Sequence, residues 1–189
     1  QVIPNGVDAK MFSPPDDRWS AKRLAEPPTL LTMLRMDPQG GWRFTFSVLE
    51  KIKKLRPDVR VIGVGELCKH PDVRSFVDEG HLSADRKTMR KLYQKADIFF
   101  DSSVVQGFGL MGLEAMSAGV AVVTSSTGGV REYATEENAV LVPIGNEEAL
   151  VSGICSLIDD AGLRERKTRK GREQALSMDW DTVAASYEM

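Results

Sequence analysis

A parallel β-sheet with helices on both faces is the fold class that this sequence predicts, and three observations predict it. Short apolar runs rich in β-branched residues recur along the chain, continuous rather than alternating, as in strands buried on both sides. Stretches of helical periodicity separate them. Strand and helix alternate in sequence, the pattern of a Rossmann-like α/β sheet. With 189 residues, 42% of them apolar, the whole span 1–189 is expected to form one domain.

The first run, "TLLTML" (29–34), reads as a strand. Phe44, Val48, Ile52 and Leu55 then follow an i, i+4, i+8, i+11 stripe, the mark of an amphipathic helix. "VRVIGV" (59–64) is the second strand, and "GHLSAD" (80–85) closes the third. Met89, Leu92, Tyr93 and Ala96 make a second amphipathic helix leading into "IFF" (98–100), and "VAVVT" (120–124) and "AVLV" (139–142) are the next strands. Asn146 caps a further helix with Glu147 and Glu148 in its first turn and Leu150, Ile154, Leu157 and Ile158 on its inner face. Trp180 and Tyr187 anchor a last helix. Ligands in such sheets bind beyond the carboxyl ends of the strands, so chemistry belongs in the loops starting near Arg35, Gly63, Leu82, Ser103 and Thr124.

Composition excludes several classes of function. Lysine and arginine total 25 against 27 acids, and a net charge of −2 gives no reason to expect a nucleic-acid partner. Cys68 and Cys155 lack pairing or metal spacing and read as reduced, buried thiols of a cytoplasmic protein. His70 and His81 likewise lack ligands at metal spacing. No apolar run is long enough for a membrane helix, and no signal-peptide pattern opens the chain. "LRERKTRKGR" (163–172) holds six basic residues and one acid. A solvated helix face is the plain reading; peripheral contact with the anionic inner face of a membrane is the sharper one. The opening "QVIPNGVD" lacks an initiator Met, and the chain is expected to begin partway along a longer polypeptide.

"DIFFDSSVVQGFGLMGLEAM" (97–116) carries the strongest signal, reading as strand, loop, glycine turn and helix. Gly107 and Gly109 allow positive φ and close backbone approach, and the free amides opening the next helix form an anion site suited to phosphate. Glu114 lies one turn beyond Leu110, and helical side chains lean back toward the N-terminus, so its carboxylate can reach the same mouth. Left dry and unpaired it would cost several kcal/mol. A ribose diol donating to both oxygens meets that need. A lone glutamate on a helix would otherwise snorkel to water or pair with a base. Gly107, Gly109 and Gly112 also spell the dinucleotide fingerprint G-x-G-x-x-G. That site wants an acid about 20 residues on, where this chain has Thr124, Ser125 and Ser126. The fingerprint also normally opens its sheet, whereas here it follows at least three strands, so a nicotinamide enzyme is disfavoured.

Together "VIPNGVD", "GHLSADRKTMRKLYQKADIFF" and "GFGLMGLEAMSAGVAVVTSSTGGVREY" resemble the C-terminal, donor-binding half of a GT-B glycosyltransferase of the large retaining family 4. The resemblance covers nearly the whole chain. It implies that residues 1–8 are an interdomain linker, and that an N-terminal acceptor domain precedes this half of the two-domain fold. The family pattern E-G-F-G-x-x-x-x-E is met with Gln106 in the first position and Glu114 in the second. The resemblance implies that Glu114 binds the nucleotide ribose, that Gly107, Phe108, Gly109 and Leu110 meet the diphosphate and sugar, and that Gln106 contacts the sugar hydroxyls. Gln106 cannot, however, offset positive charge at the anomeric carbon. Relatives carry Arg and, five residues later, Lys against the departing diphosphate; Arg35 matches, but Gly40 stands at the Lys position. Arg43 can substitute only if the helix start turns it toward the cleft. Gly65, backbone at Leu82 and the apolar Met89 frame the base by the same resemblance. Gly128 and Gly129 stand near the donor in relatives, and closing a turn would explain them as well.

The expected function is retaining glycosyl transfer from a nucleoside-diphosphate sugar, without metal or cofactor, with this chain supplying the donor site. The alternatives are a nucleotide-sugar-binding module that has lost transfer chemistry, motivated by Gln106 and Gly40, and an epimerase of the same fold acting on such sugars. A phosphorylase would need a pyridoxal-phosphate lysine, for which no motif appears.

Overall fold

The computed structural model describes residues 5–36 and 42–185. Six parallel strands form one sheet: β1 Thr29–Met33, β2 Arg60–Val64, β3 Glu79–His81, β4 Ile98–Asp101, β5 Ala121–Ser125 and β6 Val140–Val142. The five strands read from apolar runs agree with those runs to within a residue at each end. Their spatial order is β3-β2-β1-β4-β5-β6. The order reverses between β1 and β4, so the loops leaving these two neighbours diverge and open a crevice at the carboxyl edge.

The longer helices are α2 Trp42–Leu55, α4 Arg86–Lys95, α5 Leu110–Ser117, α6 Glu147–Asp159 and α7 Ala161–Ser177; short helices α1 Ala21–Ala25, α3 Pro71–Arg74 and α8 Trp180–Ala185 complete the set. Strand side chains alternate between faces, and β4 accordingly sends Phe99 into one core and Ile98 and Phe100 into another, all fully buried. The first core is closed by Leu92 and Tyr93 of α4 and Leu113 and Met116 of α5. The second is closed by Val48, Leu49 and Ile52 of α2 and Leu150, Ile154 and Leu157 of α6. Asn146 caps α6 as expected, its Oδ1 accepting the Ala149 amide at 2.9 Å.

Of the expected linker 1–8, residues 1–4 fall outside the described residues, as does Tyr187. Val7 is buried and pinned: its amide donates to the Met178 carbonyl at 2.9 Å, and its carbonyl accepts the Trp180 amide at 3.0 Å. Trp180 opens α8 with its ring against Gly6. Cys68 and Cys155 are free thiols but only half-buried, a correction to the expectation of buried ones; the burial they do have pushes both pKa values up.

The basic stretch lies in α7, whose 3.6-residue turn spreads its cations around the axis. Arg164 is buried and donates to the Leu157 and Leu24 carbonyls, while Arg172 donates to those of Ser117 and Ala9. Arg169 stacks over Trp19 and pairs with Glu165, Lys170 pairs with Glu173, and Lys167 donates to the Glu136 carbonyl. Arg164 and Arg172 are thus engaged within the fold, while Arg166, Lys167, Arg169 and Lys170 line one surface pocket together with Glu137 and Glu173. No helix among the described residues is long and apolar enough to cross a membrane.

Candidate functional site

The crevice at the strand-order reversal is an open cleft of about 430 Å³ lined by Asn5, Arg35, Val105, Gln106, Gly107, Phe108, Gly109, Leu110 and Met111. Arg35 arrives on the loop after β1, and residues 105–111 arrive on the loop after β4 and the first turn of α5. The sheet therefore brings together Arg35, Gln106, Gly107, Phe108, Gly109 and Leu110, all picked out from the sequence.

The glycine turn is held by a second loop. Gly109 is the N-cap of α5, at φ +79° in the left-handed region, and offers no capping side chain. The Gly112 amide turns back to the Gly109 carbonyl at 3.0 Å, and the Leu110 and Met111 amides are left for a ligand. A Cβ at Gly109 would lie 2.5 Å from Gln106 Oε1 and 2.9 Å from Val130 Cγ2. Gly107 does not take the positive φ that its residue type allows, and a Cβ there would meet nothing within 4 Å, which leaves its face open to the cleft. Below it, the Gly129 amide donates to the Gly107 carbonyl at 2.6 Å. Gly128, at φ +52°, lies so close that a side chain would strike the Gln106 carbonyl. Gly128 and Gly129 do more than close a turn, since they clamp the backbone of 106–108. The Tyr133 hydroxyl, buried, donates to the Gly109 carbonyl at 2.7 Å, and burial drives its pKa well up.

Glu114 sits on α5 one turn beyond Leu110, half-buried. The Tyr93 hydroxyl lies 3.2 Å from Glu114 Oε2 and 3.2 Å from the Met111 carbonyl, so its single proton is shared between the two acceptors. Glu114 forms no ion pair with any described residue. Arg86, the cation that acts on it through space, pairs instead with Asp8 at 3.4 Å and lies over the Phe12 ring. Burial raises the Glu114 pKa, with the Tyr93 hydrogen bond and the Arg86 field opposing it. Its carboxylate is thus half-buried without an ion pair, and Glu114 is not among the residues that line the cleft, lying one turn behind Leu110 and Met111, which are.

Other expected residues lie away from the cleft. The guanidinium of Arg43 stacks over Trp42, 5.1 Å from the ring centroid, and Arg43 is absent from the cleft lining; this corrects its candidacy for phosphate. Its place in the first turn of α2 hands it an aromatic neighbour instead. Gly40 falls outside the described residues. Gly65 is committed to the fold: its amide donates to the His81 carbonyl at 2.7 Å, and the Leu34 carbonyl occupies the space of a side chain. Leu82 is exposed just past β3, whereas Met89 is buried at 8% exposure, so only an edge of it can frame a ligand. No cluster of metal-ligating side chains exists among the described residues.

Three residues that the sequence reading did not select shape the site. Asp101, buried at the end of β4, accepts the Ser103 amide at 2.8 Å and the Gln106 Nε2. An acid ending the apolar run "IFF" was the available signal. Tyr93 reads as core because its ring is core, and only the tertiary fold takes its hydroxyl to Glu114. Tyr133 carried no signal at all.

The profile of the family described as Glycosyl transferases group 1 matches residues 27–160. The chain belongs to that family. It is 29% identical over 200 residues to a glycogen synthase of Mycobacterium tuberculosis, covering 98% of this chain and 46% of the relative. It is 30% identical over 203 residues to a phosphatidyl-myo-inositol mannosyltransferase of the same organism, covering 97% of this chain and 51% of the relative. This group 1 chain thus spans about half the length of the curated relatives it matches. Among solved structures, the C-terminal domain of a group 1 glycosyl transferase from Francisella tularensis aligns with a TM-score of 0.75 at 23% identity, over 91% of this chain and 97% of that one. An Anabaena protein solved in complex with UDP and glucose aligns with a TM-score of 0.80 at 21% identity, over all of this chain and 55% of that one. The fold is that of a GT-B glycosyltransferase half, as expected.

Proposed function

We propose that this group 1 chain is the donor-binding half of a retaining glycosyltransferase of family 4, taking a nucleoside-diphosphate sugar without metal or cofactor. The observation that carries the reading is the uncapped N-terminus of α5 opening into the cleft that also holds Arg35 and Gln106, with Glu114, which forms no ion pair with any described residue, one turn behind. The first-turn amides and Arg35 take the diphosphate, whose charge grows as the bond to the sugar breaks, and fixed donors placed there stabilise that charge. Glu114 takes the ribose, and Gln106 meets the sugar. The base lies toward Leu82, with backbone near Gly65 and the edge of Met89 framing it. The Anabaena neighbour, solved with UDP and glucose, lends support through the shared fold. The acceptor site and remaining catalytic groups belong to an N-terminal domain, and the enzyme works in the cytoplasm. Gln106, in place of the family glutamate, favours as a second reading a module that binds but no longer transfers.

Thermal-shift measurements with UDP, GDP and ADP and their sugar forms test the binding claim, because a ligand present at about 100 times its Kd adds roughly 2.7 kcal/mol to native stability. One nucleotide family is expected to raise Tm. No shift with any of them at millimolar concentration, in a folded sample, overturns the proposal. Release of nucleoside diphosphate by the full-length polypeptide then separates transferase from binding module.

A further inference from the structure

The geometry points to Asp101 as a positioning residue for the donor sugar, acting through Gln106 and holding in the layer behind the cleft the negative charge that the family pattern places at position 106. This rests on the nucleotide-sugar reading above. Asp101 is 7% exposed and forms no ion pair with any described residue. Its oxygens instead take two neutral donors, the Ser103 amide at 2.8 Å and the Gln106 side-chain amide. Burying a carboxylate without a cation is unfavourable unless its hydrogen bonds are well made. The bond to the Ser103 amide is a turn that asparagine makes equally well, so the turn alone gives no reason for a charge here.

The bond to Gln106 does give one. An ionised carboxylate only accepts hydrogen bonds. Asp101 therefore fixes the Gln106 amide with its NH₂ pointing inward and Oε1 presented at the mouth of α5, against Gly109. Oε1 accepts no hydrogen bond from any described residue, and Gln106 lines the cleft while Asp101 does not. The inward bond to an anion polarises the amide and strengthens Oε1 as an acceptor. Gln106 thus offers a sugar hydroxyl what a glutamate would offer, an oriented acceptor backed by a negative charge. The pair also accounts for the departure at position 106, since a glutamate there would face Asp101 within hydrogen-bonding distance and the two acids could not both ionise.

Calorimetry on the full chain with UDP and UDP-glucose, GDP and GDP-mannose, and ADP and ADP-glucose tests this through the affinity ratio of sugar form to bare diphosphate. Asp101→Asn keeps the turn but lets the Gln106 amide rotate. It is expected to leave diphosphate affinity within about twofold while lowering the ratio about tenfold, the effect of one hydrogen bond to a charge-backed acceptor. Asp101→Ser, which keeps a turn acceptor without charge, is expected to do the same and serves should the asparagine variant fail to fold. Gln106→Glu alone also loses the ratio, and Asp101→Asn combined with Gln106→Glu regains it, because the donor and acceptor have exchanged places. A wild-type ratio in Asp101→Asn or Asp101→Ser, or no recovery in the double variant, overturns the proposal. Wild-type binding of a bare diphosphate with no gain from the sugar overturns it while leaving the nucleotide site standing. Failure of every nucleotide to bind removes the site reading itself and this proposal with it.

Discussion

Strand β4 begins just after one aspartate and ends on another, and the two ends of the sheet treat them in opposite ways. Asp97, at the amino edge, takes Arg18 at 3.1 Å, Arg23 at 2.9 Å and the Thr29 amide at 3.0 Å. Arg18, itself buried, also donates to the Ala96, Tyr93 and Gln94 carbonyls at the end of α4, and burial brings its pKa down to about 10, which leaves it charged at neutral pH. Asp101, at the carboxyl edge, has only neutral donors. Each edge has a cavity, about 420 Å³ lined by Arg23, Arg60, Lys95 and Asp97 at the amino end and about 430 Å³ at the other. Size does not distinguish them. At the amino end those charges are already spent on one another and on Glu79, whereas the carboxyl end keeps the Leu110 and Met111 amides, the Gln106 Oε1 acceptor and two carboxylates, Asp101 and Glu114, that form no ion pair with any described residue. Neutralised charge marks the end that holds the fold together, and the carboxylates without an ion-pair partner lie at the end to which the donor site is proposed to belong.

The largest expected effect breaks the amino end. Asp97→Ala strands the buried Arg18 guanidinium, and losing one partner of a buried pair typically costs about 3–5 kcal/mol. For a chain of this size that lowers Tm on the order of 10 °C. Scanning calorimetry checks it, with nucleotide affinity of the folded protein expected to stay unchanged. A stable Asp97→Ala protein would mean that the latch is ornamental.

Gly109→Ala comes next and acts on both properties. Its left-handed φ resists a side chain by about 1–3 kcal/mol, and the added carbon presses on Gln106 Oε1 and Val130. Denaturant unfolding should show that loss, and the shift of the α5 mouth should abolish nucleotide binding. Stability lost with binding intact would detach the glycine turn from the ligand.

Glu114→Gln is expected to separate the two properties with the smallest change in stability. Replacing a charged acceptor should weaken diphosphate binding about tenfold or more. Stability should move the other way. The folded pKa of Glu114 lies above the ordinary 4.5, so between the two values the native state binds more protons than the unfolded chain and stability falls as pH rises. Removing the acid therefore raises Tm at neutral pH and leaves it unchanged well below pH 4.5. Unfolding curves at both pH values decide it, and an equal change at both would show that Glu114 is not held ionised against its burial.

Much of this was legible in the residue order. Apolar runs located the strands because a strand buried on both faces has no polar positions to interrupt it. Glycines at 107 and 109 located the turn because few other residues allow such close approach, and an acid among Leu110, Leu113 and Met116 stood out against its surroundings. What escaped was long-range. Arg43 was a fair candidate by spacing, yet Trp42 claims its guanidinium. Asp101 looked like the end of a strand, and only the return of the loop sets Gln106 over it.

Local order in this chain thus determined the elements, the parallel sheet and the loop most suited to an anion, because periodicity, chain stiffness and backbone hydrogen bonding act over a few residues. The tertiary structure alone decided that β1 and β4 are neighbours across the reversal, which delivers Arg35 to the glycine turn. It alone brought Tyr93 to Glu114 across α4 and α5, and the 127–130 turn beneath residues 106–108. Those pairings join residues about 20 to 70 positions apart in the sequence; no local preference encodes them, and they exist only once burial of the two cores has fixed where each element lies.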